Sequence, residues 1–251
     1  MNTRWLRRLA VLSALVLAPP ALAQERARWR VALEIGASFQ TANEVHIPSR
    51  TGTRFDYDAL TGGPVSPFFR AELEAGPWER HGLRFVYQYL RNEGTGTLPT
   101  PTRFAGQVFL PAVPTSGRYS FDTFRATYRY TLIDRHDFRL RLGATLLVRD
   151  AEIRLTQPGR RARDEDVGVV PLLHAGFDWR FAPRLVLIGE ADGLGFGQGY
   201  AVDLGLRVGY DVAPGWQVSG GWRMLAGGVD NSSTFAFARF QTLTAGLAYR
   251  F

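Results

Sequence analysis

From Arg28 to Phe251 apolar side chains recur at every second position, and the charged ones fall between them. A period of two is the signature of a strand with two unlike faces, and no stretch of useful length carries the 3.6 period of a helix. The segment "YAVDLGLRVGYDV" shows it most clearly, with Tyr200, Val202, Leu204, Leu206, Val208, Tyr210 and Val212 on one side and Asp203, Arg207 and Asp211 on the other. Ten such rows can be drawn, at 29–39, 69–75, 83–89, 124–132, 138–148, 167–181, 185–191, 200–212, 216–224 and 243–251. Their fifty-four apolar-row residues include no charge, while the interleaved rows hold nineteen, so one face of every strand avoids charge altogether. The expectation is an all-β chain of about ten antiparallel strands, within a range of eight to twelve.

The connections alternate in length. "GPWERHG", "DRHD", "AP" and "APG" are tight-turn sequences, whereas 40–63, 91–117, 157–166, 193–199 and 226–236 read as longer loops. Short turns at one end and long loops at the other are how transmembrane barrels are strung. An even strand number puts both termini at the short-turn end.

Two closed barrels fit the alternation, and they differ in which solvent meets the apolar row. A soluble barrel turns that row inward and its charges outward; a membrane barrel exchanges the two. Three features favour exchange. The charged rows also hold Gly143, Gly176, Gly205, Gly209, Gly221 and Gly246. Small beside large is how a narrow lumen fills, while a solvated strand face gains nothing from glycine. Aromatics gather at the ends of the apolar rows, at Trp29, Phe39, Tyr89, Trp179, Phe181, Tyr200, Tyr210, Trp216, Tyr249 and Phe251, as in interfacial girdles. The best-defined rows are also long enough for a tilted strand to cross a bilayer.

The N-terminus adds a compartment. "MNTRWLRR" is basic, "LAVLSALVL" apolar and "APPALA" ends in small residues, which reads as a signal peptide over residues 1–23 with a single barrel domain at 24–251. The chain has no cysteine, so an exported protein of this sequence relies on no disulfide. Losing Arg4, Arg7 and Arg8 lowers the formal net charge from +7 to +4. The basic residues are all Arg and are spread along the chain rather than gathered with aromatics in one patch, which argues against a nucleic-acid partner.

The final stretch, "TLTAGLAYRF", resembles the closing strand of small Gram-negative outer-membrane β-barrels of the OmpA, OmpX and OmpW kind. The resemblance covers the architecture of the mature chain and carries no subfamily motif. It implies an outer-membrane location and contact with outer-membrane lipid and lipopolysaccharide. It also implies recognition of Leu247, Tyr249 and Phe251 by the barrel insertion machinery.

The interior is the candidate site. Arg70, Glu72, Glu74, Arg84, Arg125, Arg129, Arg139, Arg141, His174, Asp178, Arg180, Glu190, Asp203, Arg207 and Arg223 are expected to line the lumen. They could form a selective lining for a small solute or a salt-bridged plug, and burial demands pairing in both cases. A structural or narrow-channel barrel is therefore the leading expectation, ahead of an enzyme acting on lipid A, phospholipid or peptide, or a loop-mediated adhesin. No catalytic set is legible. His174 and Asp178 share a face at a separation of roughly 13 Å, too far for a direct bond, and His46 with Ser49 lacks a third member. Asn43, Glu44, His46, Asp56 and Asp58 have no metal-ligand spacing, so neither metal nor cofactor is expected. "GRRARDED" is read as a solvated hairpin tip, with contact of its arginines to lipopolysaccharide phosphates as the alternative.

Overall fold

The computed structural model describes residues 29–76, 79–197, 199–231 and 234–251, so the expected signal peptide lies outside the described residues. Its strands are β1 (Trp29–His46), β2 (Phe55–Asp56), β3 (Ser66–Ala75), β4 (His81–Thr97), β5 (Thr102–Phe104), β6 (Gln107–Phe109), β7 (Pro114–Asp134), β8 (Phe138–Gln157), β9 (Arg160–Ala182), β10 (Leu185–Phe196), β11 (Gly199–Ala213), β12 (Trp216–Asp230) and β13 (Phe235–Arg250). Among the described residues one helix, Tyr57–Thr61, follows β2. β1, β3, β4 and β7 to β13 pair with their neighbours in order, and β13 returns to β1, giving a closed antiparallel barrel of ten strands. Closure leaves no sheet edge to be satisfied by lipid.

The seam is made by the segment that resembled a closing strand. β13 runs beside β1 from Arg250 opposite Arg30 to Phe235 opposite His46. Phe251 finishes it through its backbone, donating N–H to the Trp29 carbonyl at 3.0 Å and accepting from the Trp29 N–H at 3.1 Å. Its side chain is exposed and stacks on Tyr249 at 5.8 Å.

The outward rows are apolar. Ile35, Phe85, Leu132, Leu146, Leu173, Leu206 and Leu243 are all exposed on the barrel wall. Aromatics ring its two ends. At the short-turn end Trp216 packs on Tyr249 at 4.6 Å and Trp179 on Phe181 at 5.8 Å. At the other end Tyr87 meets Phe124 at 4.9 Å and Tyr200 meets Phe237 at 5.9 Å.

The expected loops are mostly strand. β8 continues to Gln157 and β9 begins at Arg160, so "GRRARDED" is not a hairpin tip: only Pro158 and Gly159 turn, and Ala162 is buried. Likewise 193–199 and 226–236 are largely strand, and 91–117 loses both its ends to β4 and β7. The reason lies in polarity. Along β8 the even positions face outward throughout, yet they change from Leu146 and Val148 to Asp150, Glu152 and Arg154. The odd, inward positions change from Arg141 to Ile153 and Leu155. β7 inverts in the same way, from outward Phe124 to outward Asp122 and Arg118, with Tyr119 buried inside. One barrel thus has a lipid-suited lower part and an upper part built like a soluble barrel, with its apolar side chains inside.

Only the first two outer connections hold enough chain to fold back, and both turn inward. Residues 47–65 carry β2 and the helix, while 98–113 carry the β5–β6 hairpin. Their apolar side chains join the upper wall in one buried cluster containing Val45, Phe55, Tyr57, Leu60, Leu98, Phe104, Phe109, Tyr119, Leu155 and Phe240. The helix is short but well terminated. The Asp56 carboxylate accepts from the N–H groups of Asp58 at 2.9 Å and Ala59 at 3.1 Å, and Gly62 closes it at φ 73°. It lies directly on the barrel backbone. A Cβ on Gly96 would stand 2.0 Å from the Leu60 carbonyl oxygen, so only glycine admits the helix there.

Candidate functional site

Below the apolar cap the inward positions of the lower barrel carry charge, and nearly all of it is paired across the lumen. Glu190 of β10 is the hub. It accepts from Arg84 of β4 at 2.9 Å and Arg223 of β12 at 3.2 Å, and lies 3.3 Å from Arg207 of β11 and 3.9 Å from Arg70 of β3. Asp192, two residues on, holds Arg84 at 2.9 Å and Arg125 at 3.4 Å. Asp203 bridges Arg125 and Arg223, both at 2.6 Å. Glu34 of β1 is paired with Arg207 and lies 3.5 Å from Arg223. Glu72 links Arg70 at 3.4 Å to Arg30 at 2.6 Å, and Arg30 reaches Glu74 at 2.8 Å, which also takes Arg129 at 2.8 Å.

These contacts form one connected set of seven arginines and six carboxylates, drawn from seven strands. An ion stripped of water costs several kcal/mol, and a single partner seldom repays that. Here almost every member has two or more, which the planar guanidinium fork allows. Glycine makes the room: Gly205 lies beside Arg223 on the neighbouring strand, where a Cβ would sit 3.1 Å from the guanidinium carbon.

Of the residues expected inside from sequence, Arg70, Glu72, Glu74, Arg84, Arg125, Arg129, Glu190, Asp203, Arg207 and Arg223 meet in this network. Arg141 and Asp178 form a separate pair at 2.7 Å nearer the short-turn end. Arg139 and Arg180 sit farther out still, on Asp134 at 3.1 Å and Asp211 at 2.8 Å, with their side chains partly in solvent. Arg30, Glu34 and Asp192, outside that expected set, also join the network, and each lies on a charged row. The register across neighbouring strands would have found them, since Arg30 faces Glu74 and Asp192 faces both His174 and Asp203.

His174 therefore pairs with Asp192 rather than with Asp178. Its Nδ1 lies 2.8 Å from the Asp192 carboxylate, which also accepts from Thr145 Oγ1 at 2.8 Å. An ionised carboxylate only accepts, so Nδ1 carries the proton of that bond. Nε2 is buried without a hydrogen-bond partner. The nearby hydroxyls of Thr145 and Thr127, 2.8 Å apart, lie on the carboxylate side of the ring. A nucleophile relay would require one at Nε2.

The buried cluster of the cap above is apolar and aromatic. Burial pushes the Tyr119 phenol up to about 12. It raises Tyr57 as well, whose hydroxyl donates to the Asn92 carbonyl at 3.1 Å. A raised phenol favours the folded state below its ordinary pKa of about 10, and that contribution fades as pH climbs through the folded value. Ultraviolet titration of the folded barrel should show a late tyrosinate step above pH ~11 that is absent from a Tyr57→Phe/Tyr119→Phe variant; its persistence would contradict the burial.

Below the network the lumen opens into a vestibule of about 860 Å³ at the short-turn end, between Trp29, His81, Phe138 and Arg250. The opposite end is covered by the cap, so the barrel is a cup rather than a tube. A closed ten-stranded barrel with an outward apolar band, aromatic girdles and inward ion pairs is the architecture of Gram-negative outer-membrane β-barrel proteins. Among solved structures, the outer membrane protease OmpT from Escherichia coli overlaps this chain with a TM-score of 0.56 at 10% identity, over 90% of this chain and 98% of that one. The transport unit of the autotransporter AIDA-I from Escherichia coli gives 0.47 at 8% identity, over 98% and 97% of the two chains. Ail, the attachment invasion locus protein of Yersinia pestis, gives 0.42 at 10% identity, over 89% and 99%. The first shows a shared fold; the other two overlap too loosely to argue from. No protein-family model and no curated protein matches the sequence.

Proposed function

We propose that this protein is an outer-membrane β-barrel of structural type, exported by a signal peptide at residues 1–23 and inserted with its short turns in the periplasm. Of the two forms expected from sequence, a filled barrel and a narrow channel, the filled form is favoured. The observation that carries this is the stacking of two obstructions on one axis: a charge network tying Arg84 of β4 to Glu190 and Asp192 across the lumen, and the apolar cap above it. An ion crossing the barrel would have to break paired charges and then enter a hydrocarbon cluster, and each step costs several kcal/mol.

In planar bilayers the purified barrel is expected to give no conductance steps at any applied voltage. Steps of uniform size would overturn the filled reading and restore the channel.

The upper barrel, standing beyond the outer girdle, presents Arg91 over the Tyr89 ring at 4.7 Å and Arg118 beside Glu93 at 2.8 Å. These positions suit contact with lipopolysaccharide headgroups. Leu247, Tyr249 and Phe251 remain the segment proposed to be read by the insertion machinery, and Phe251 also serves the seam through its backbone.

A further inference from the structure

The vestibule below the charge network has branched aliphatic residues on one wall. On β10 the inward row runs Val186, Ile188, Glu190, Asp192, and the first two are buried hydrophobic residues on the vestibule wall.

The charges around that stripe are unequal in how fully they are engaged. Eight arginines and six carboxylates line the vestibule. The deeper carboxylates are already taken: Glu74 by Arg30 and Arg129, Asp178 by Arg141, and Glu190 by the hub. Several guanidinium groups are not. Arg139 uses only its Nε, on Asp134. Arg250 reaches Gln217 at 3.5 Å and Asp211 at 3.8 Å, both long contacts, and stands directly opposite Arg30 across the β1–β13 pair. Arg30 already holds Glu72 and Glu74, which leaves Arg250 the less engaged of the two. Glu79 and Asp137 at the rim are the carboxylates without a side-chain partner among the described residues. The vestibule therefore carries more guanidinium groups than carboxylates, and Arg139 and Arg250 keep donor atoms for an incoming anion.

We propose that the vestibule is a binding site for a small organic anion with an apolar body. Its acid group lies against Arg250, and its hydrocarbon part lies along Val186 and Ile188. The volume is that of an ordinary small-ligand pocket, and a few placed polar groups against an apolar wall are the usual composition of such sites. Forked guanidinium groups suit carboxylate, sulfonate and phosphate heads alike, so the tail distinguishes the class.

The test uses the whole barrel in zwitterionic lipid nanodiscs, titrated calorimetrically against empty discs. Hexanesulfonate, hexylammonium and inorganic phosphate are the probes. Hexanesulfonate is expected to bind saturably at one site per barrel, at least about tenfold more tightly than either of the others. Arg250→Gln should weaken it about tenfold while Arg250→Lys retains most of the affinity, and Ile188→Ser should weaken hexanesulfonate without changing phosphate. Loss of saturable binding beyond the empty discs would overturn the site. Equal affinity for hexylammonium would remove the anion preference, and equal affinity for phosphate would remove the apolar wall from the argument. Each is independent of whether the barrel conducts.

Discussion

Replacing Arg84 with methionine is expected to cost the folded barrel about 3–5 kcal/mol, the usual penalty for orphaning a buried charge. Arg84 is fully buried and holds Glu190 and Asp192 at 2.9 Å each, with Thr127 at 3.4 Å. Removing it leaves Asp192 with Arg125 at 3.4 Å as its remaining arginine. Glu190 keeps Arg223, Arg207 and Arg70, so the loss should concentrate at Asp192. The double variant Arg84→Met/Asp192→Asn should then recover a large part of the stability, because both ions leave together. Urea titrations of folding into lipid vesicles, followed by tryptophan emission, measure both. If the single variant unfolds at the wild-type urea concentration, the network does not hold the barrel walls together. If the double variant is no better than the single, the pair is not where the cost lies.

A second large effect should come from the other side of the wall. Leu206 lies midway along β11, faces outward and is 45% exposed. On a water-facing surface Leu206→Arg would be worth within about 0.5 kcal/mol either way. Facing the middle of a bilayer it should destabilise by about 2–4 kcal/mol. Tyr210→Arg, on the same face but in the girdle, should cost at most about 1 kcal/mol, since the penalty falls toward the interface. A depth-dependent cost measured in the same vesicles supports lipid contact. Equal and small costs at both positions would mean that the apolar face does not meet hydrocarbon.

The ten-row pattern was sufficient for the lower barrel because one physical rule governs it. Apolar side chains outside and ion pairs inside give each strand an unbroken alternation, so Tyr200 to Val212 could be read without knowing any neighbour. The rule reverses above the outer girdle. On β8, Asp150 and Arg154 occupy the outward row begun by Leu146, and Ile153 continues the inward row of Arg141. Read as a single alternating pattern, the strand stops at Val148, and the remaining residues look like loop. Pairing was equally hidden: His174 has Asp178 on its own strand but meets Asp192, because β9 and β10 bring those two residues opposite each other.

Alternation, terminal aromatics and the confinement of charge to one row determined by themselves that this chain closes into an antiparallel barrel with its charges inside. Those are local properties, set by the period of a strand and the cost of placing an ion in hydrocarbon. Which charges pair, that Glu190 gathers four arginines, that two outer connections fold inward as a cap, and that Val186 and Ile188 leave an apolar wall in a vestibule open at one end were decided by tertiary structure. Each depends on the stagger between strands and on contacts across the lumen, and no single strand's sequence encodes either.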